Sequence, residues 1–166
     1  MKKYILVAIF SALIILWVSF IWSNSSQVGE VSGQTSSDVT DRINEIVEPI
    51  IKEPISEHTV RKGAHFLEYM ILGALCSVDV IFVLYACSAC SARLVSFSML
   101  ASLLPSFAVA MIDEFSVQAS TEGRGPSFID VGIDCAGAFT GIAISIAVFL
   151  ITYCLSEKRN CKSGSN

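Results

Sequence analysis

The sequence predicts an all-α membrane protein: four transmembrane helices, with a short amphipathic extracytoplasmic helix between the first and the second. Three observations carry this. Hydrophobic residues make up 53% of the 166 residues and charged residues only 16%. Mean hydropathy is +0.64. The charges also crowd into residues 30–68, 113–134 and the last ten positions, leaving near-continuous apolar runs between them. Runs of about 18 or more apolar residues are transmembrane candidates, because a helix needs about 20 residues to cross about 30 Å of hydrocarbon. This excludes an ordinary soluble domain, and a net charge of −4 gives no nucleic-acid signal. Residues 1–166 read as a single membrane domain.

The first helix is expected over about residues 4–22, an apolar run from Tyr4 to Trp22 behind Lys2 and Lys3. It exceeds the roughly 7–15 residues of a signal-peptide core, and the following Ser-Asn-Ser-Ser-Gln offers no small-residue cleavage site. A retained helix is therefore expected, with Trp17 and Trp22 in the interfacial belt. Residues 23–59 form the only sizeable polar stretch. Ser23 to Ser37 reads as a loop. From Asp38, with Ser37 as N-cap, Val39, Ile43, Ile46, Val47, Ile50 and Ile51 share one helical face. Pro49 and Pro54 make its end ragged. This segment reads as a strap on the bilayer surface or over the other helices.

The second helix, about 60–85, begins where a hydroxyl among Ser56 to Thr59 can cap it, and the third spans about 94–112. The turn between them falls at Ala86 to Arg93. Leu104-Pro105 should kink the third helix, where neighbouring helices tolerate the freed carbonyl. Asp79 shares a face with Glu68 three turns deeper and reads either as a second-site carboxylate or, the reading favoured, as a residue near the far interface. Glu122-Gly123-Arg124-Gly125-Pro126 has tight-turn composition. The fourth helix spans about 128–153, and Gly137-x-x-x-Gly141 permits close approach of a neighbour. A polar cytoplasmic tail, 154–166, follows. Four spans place both termini on one side, and Lys2, Lys3, Arg93, Lys158, Arg159 and Lys162 make that side cytoplasmic. Arg61 and Lys62 count against this orientation unless Glu68, Asp113 or Asp134 holds them.

Most of the six cysteines lie in or beside apolar runs, and none falls in the long polar segment. Cys87-x-x-Cys90 has neither a second pair nor a nearby histidine to complete a site, so the cysteines read as small hydrophobes and no disulfide framework is expected. The sequence contains no recognised cofactor or metal motif.

Three polar stretches then converge on the extracytoplasmic helix ends. Val60 to Tyr69 reads V-R-K-G-A-H-F-L-E-Y, with Arg61, His65 and Glu68 on one stripe and Lys62 and Tyr69 flanking it. Asp113, Glu114 and Gln118 end the third helix. Arg124 follows, and Asp130 and Asp134 begin the fourth, on one stripe with Gly137 and Gly141. Charges buried in low dielectric must pair or face water, and arginine with carboxylate is the natural bidentate partnership. Arg61 is therefore expected to be coupled to Asp113, Glu114 or Asp134.

These residues, R-K-x-A-H-F-x-E-Y, then D-E and a Gln, then G-R, then D-x-x-x-D-x-x-G-x-x-x-G, resemble the VanZ-like family of small bacterial membrane proteins. The resemblance covers roughly Ser19 to Gly141. It implies a four-helix membrane protein of the cell envelope, in a family whose founding member is associated with resistance to the glycopeptide antibiotic teicoplanin. The family's motif positions fall here on Arg61, Lys62, His65, Glu68, Tyr69, Asp113, Glu114, Arg124, Asp130, Asp134 and Gly137. One departure stands out: Gln118 follows Glu114 by four residues where the family pattern has three. The resemblance implies a phenotype class rather than a reaction.

The first functional reading is an envelope protein whose outer cluster binds a lipid-linked wall precursor or its headgroup, with Arg61, Lys62 and Arg124 meeting anionic groups. The second is an enzyme on such a lipid, with His65 and the carboxylates as acid, base or metal ligands. A purely structural ion-pair network is the third. Transport ranks last, because four helices carry no obvious repeat and few charges at mid-depth.

Overall fold

The computed structural model describes residues 2–87, 92–123 and 125–163. The helices are α1 (Lys2–Ser25), α2 (Gly29–Ile51), α3 (Glu57–Ala86), α4 (Ala92–Ile112) and α5 (Phe128–Ser163). A π-helical turn, Asp113–Val117, and a 3₁₀ turn, Gln118–Ser120, follow α4 directly.

The long helices alternate in direction, and two sets of contacts fix this. At one end, the Ser25 hydroxyl closing α1 donates to Asp113 Oδ2 just past α4, at 2.8 Å. Asn24 Nδ2 donates to Glu68 Oε1 in the first half of α3, at 2.9 Å. At the other end, Val95 of α4 and Ile142 of α5 form a buried pair, packed by Ile81, Leu84 and Phe149. The main core lies between, built from Ile21, Tyr69, Leu72, Cys76, Ala110, Val131 and Ala138. Side chains such as Ile5, Ile9, Ile15, Leu16 and Phe20 point outward from α1. A broad apolar exterior of this kind suits lipid rather than water.

α3 and α5 make the most extensive helix pair, and glycine permits it. A Cβ on Gly137 would collide with the Phe66 carbonyl, one on Gly141 with the Met70 carbonyl, and one on Gly73 with the Ala138 backbone. In hydrocarbon, where apolar side chains gain nothing from leaving lipid, such backbone proximity is what holds helices together.

Several expectations are corrected. Three described helices, rather than four, are long and apolar enough to cross a membrane: Tyr4–Ser25, Glu57–Ala86 and Phe128–Ser156. α4 is not among them. The strap helix starts at Gly29 rather than near Ser37, so the expected loop is mostly helical and Ser37 lies inside α2. Packing against α3 overrides the weak helix propensity of this Ser- and Gly-rich stretch. Ile46 and Ile50 on its apolar face are open. α2 ends at Lys52, whose left-handed conformation (φ 64°) lets its N–H reach the Glu48 carbonyl. Asn44 then pins the link by bonding both the N–H and the carbonyl of Ile55.

The Ser56 hydroxyl caps α3 by accepting from the Thr59 N–H. Pro105 sits inside α4. The turn expected at Ala86 to Arg93 falls largely outside the described residues, as do Cys90 and the Arg93 side chain. α5 runs to Ser163 and takes in most of the expected tail, since no residue between 154 and 163 is a helix breaker.

Candidate functional site

The site gathers where α1 and α4 end and α3 and α5 begin. Its first part is a clamp around Glu114. A π-turn widens the backbone spiral, and here it brings Gln118 against both acids that precede it. Gln118 Nε2 donates to Glu114 Oε2 at 2.6 Å and to Asp113 Oδ2 at 3.2 Å. The four-residue spacing that departs from the family pattern therefore fits the π-turn. Glu114 Oε1 accepts the Ser127 backbone N–H at 2.7 Å. The Ser127 hydroxyl accepts the Asp130 N–H at 3.3 Å, capping α5. One carboxylate thus ties the end of α4 to the start of α5. Burial pushes the Asp113 and Glu114 carboxyls above the usual range, opposed by the hydrogen bonds each accepts.

The second part is a floor around Asp134. Asp113, Glu114 and Asp134 are each completely buried. Asp134 Oδ1 lies 3.5 Å from His65 Nδ1 across the α3–α5 seam. One donor atom from each of His65, Asp113 and Asp134 falls within 4.8 Å of the others. Neither Asp134 oxygen has a hydrogen-bond partner among the described residues, and the same holds for Asp113 Oδ1, His65 Nδ1 and the Tyr69 hydroxyl. One turn nearer the end, Lys62 Nζ pairs with Asp130 Oδ1 at 3.5 Å, with both side chains partly open.

Two cavities flank this floor. One, of about 120 Å³, is lined by Arg61, Lys62, His65, Gln118 and Asp130 together with Gly123 and Gly125. The other, of about 200 Å³, lies towards α1 and α2 and is lined by Asn24, Ser25, Thr35, Arg61, His65 and Glu68. Arg61 and His65 border both. Gly123, with φ 78°, forms the turn above the first.

Of the expected site residues, the structure brings together Lys62 with Asp130, His65 with Asp113 and Asp134, and Gln118 with Asp113 and Glu114. Glu68 is held by α1, and Tyr69 is buried in the core. Gly137 and Gly141 pack on the α3 backbone. Arg61 departs from expectation: it is exposed and makes no ion pair among the described residues. The reason is geometric, since Lys62 and His65 take the α5 carboxylates while Arg61 borders the cavities. Arg124 lies outside the described residues. Asp79 accepts from Ser11 at 3.3 Å.

Sequence reasoning missed Asn24, Ser25, Trp17 and Ser127. Trp17 Nε1 donates to the Glu68 carbonyl at 2.9 Å. The signal for Asn24 and Ser25 was available: small polar residues directly closing an apolar helix, at the depth where the acids of the other helices begin.

A membrane helical bundle with a buried histidine–carboxylate floor under a basic rim is the class these features define. The family model described as VanZ/LLP1 matches residues 10–151, nearly the whole chain, and the protein belongs to the VanZ-like family. Comparison with curated proteins and with solved structures returned no match.

Proposed function

We propose that this is a multi-pass protein of the bacterial cell envelope whose outer cluster binds the anionic headgroup of a lipid-linked wall precursor, and that this binding alters susceptibility to teicoplanin. The observation that carries the reading is Arg61: a guanidinium bordering two cavities and free of any carboxylate among the described residues. Lys62, with Asp130 as a partly open partner, lies beside it in the smaller cavity. A guanidinium offers a planar fork of donors suited to phosphate or carboxylate.

In this reading α4 is a fourth crossing. Its Asp113 end meets α1, its Val95 end packs with α3 and α5, and its 21 residues are long enough to follow them across. Both termini are then cytoplasmic and the cluster lies outside, with α2 as a strap at that surface.

The test is binding of a polyprenyl diphosphate to the full chain in nanodiscs, followed by native mass spectrometry. The wild type should retain the lipid through washing, and Arg61→Gln should lose it while remaining folded. Equal retention by both would overturn the reading. In cells with matched membrane levels, the same substitution should abolish any shift in teicoplanin susceptibility.

A competing reading, an enzyme acting on an envelope lipid, draws on the contact between His65 and Asp134, the arrangement of a base and the group that orients it. Lipid turnover by the wild type that His65→Gln abolishes, with binding intact, would favour it.

A further inference from the structure

Two fully buried aspartates share the floor with one histidine, and among the described residues neither Arg61 nor Lys62 reaches them. Lys62 is turned to Asp130, and Arg61 is exposed at the cavity mouths. Two carboxylates this close, ionised without a compensating positive charge, are costly in a poorly solvated interior. Their hydrogen bonding is also incomplete in one direction. Asp113 turns one oxygen to Ser25 and Gln118 and leaves Oδ1 without a partner among the described residues. Asp134 leaves both oxygens so. Tyr69, one turn along α3 from His65, is also fully buried with an unpartnered hydroxyl, within electrostatic reach of both aspartates. Orphaned polar atoms of this kind in a native interior call for a partner.

We propose that His65, Asp113 and Asp134 form a binding site for one divalent transition-metal cation, Mn²⁺ or Zn²⁺ in class, with the Tyr69 hydroxyl alongside. One imidazole nitrogen and two carboxylate oxygens are a mixed donor set: the imidazole favours transition metals over Mg²⁺ and Ca²⁺, and the carboxylates suit small dications. The three donor atoms lie within 4.8 Å of one another. Three ligands at about 2.1 Å from one ion stand about 3.4–3.6 Å apart, so closing the set takes side-chain shifts on the order of an ångström. The surroundings supply the outer support that metal sites need: Ser25 and Gln118 both hold Asp113 Oδ2, leaving its other oxygen for the ion. The cation would lie at the base of the cavities Arg61 borders. Its binding does not depend on any lipid.

The probe is Mn²⁺ alone, added to the full chain purified in detergent and stripped with a chelator. The wild type should bind an equimolar amount, with Zn²⁺ competing and Mg²⁺ in the same concentration range failing to compete. Pulsed electron paramagnetic resonance of bound Mn²⁺ should carry the modulation of a directly coordinated nitrogen. His65→Gln should remove that modulation and weaken binding at least about tenfold. Asp134→Asn should abolish binding, while Asp79→Asn, three turns deeper, should leave it unchanged. Failure of the folded wild type to bind either metal, or binding without nitrogen coupling, would overturn the assignment even if a variant did not fold. Loss of metal binding with polyprenyl diphosphate retained would sink this proposal and leave the lipid reading standing.

Discussion

The clamp around Glu114 and the floor around Asp134 lie side by side, both completely buried and both acidic. They differ in how their oxygens are used. Glu114 accepts from Ser127 at 2.7 Å and from Gln118 at 2.6 Å, one donor for each oxygen. Asp134 has only His65, at 3.5 Å with no hydrogen bond, among the described residues. A buried carboxylate whose lone pairs are met by chain-connecting donors contributes to the fold. One that is buried and unmet costs stability, and such groups persist where a protein binds something or does chemistry. The same residue class therefore has opposite roles in neighbouring parts of one site. Hydrogen bonding separates them where burial does not.

The substitution with the largest expected effect removes the seam that carries one region past the other. Gly141 lies on the Asp134 stripe, and any Cβ there meets the Met70 carbonyl. Gly141→Val should lower stability by about 3 kcal/mol, at the upper end of overpacking costs because backbone rather than a side chain must yield. Thermal unfolding in detergent checks this. A variant of wild-type stability would mean that α3 and α5 do not approach as closely as described.

Next comes the clamp itself. Glu114→Ala leaves the Ser127 N–H without its charged acceptor while Gln118 keeps Asp113 at 3.2 Å, and a hydrogen bond to a charged group contributes about 1.5–3 kcal/mol. A loss of about 2–3 kcal/mol is expected, with faster hydrogen exchange at the start of α5. Stability within about 0.5 kcal/mol of wild type would erase the distinction between clamp and floor.

Much of this arrangement was legible in the sequence. The apolar runs marked the long helices, and helical spacing placed His65, Asp130 and Asp134 on stripes that meet across α3 and α5. The Ser56 cap and the glycine spacing were equally readable, because each depends on local chemistry that sequence carries directly. What escaped was set by tertiary choice. Arg61 and Lys62 are adjacent, and nothing in their order says which one takes an α5 carboxylate; the rotation of α3 against α5 decides it. The early start of α2 came from packing on α3 that its composition does not announce. Asn24 and Ser25 looked like the start of a loop, yet they hydrogen-bond two of the site's acids.

The smallest expected effect on stability separates the two regions most sharply. Asp134→Asn keeps the size of the side chain and removes its charge. In metal-stripped protein the substitution weakens the 3.5 Å contact with His65 but gives up no hydrogen bond accepted among the described residues, and it relieves the cost of a buried charge near Asp113. Its unfolding temperature should match the wild type or exceed it slightly, a change within about 1 kcal/mol. Adding Mn²⁺ should then raise the unfolding temperature of the wild type and leave Asp134→Asn where it was, since only a state that binds the ion gains from it. A large loss of stability in the stripped variant would mean that Asp134 is structural after all. The floor would then be a second clamp, and the contrast with Glu114 would fail.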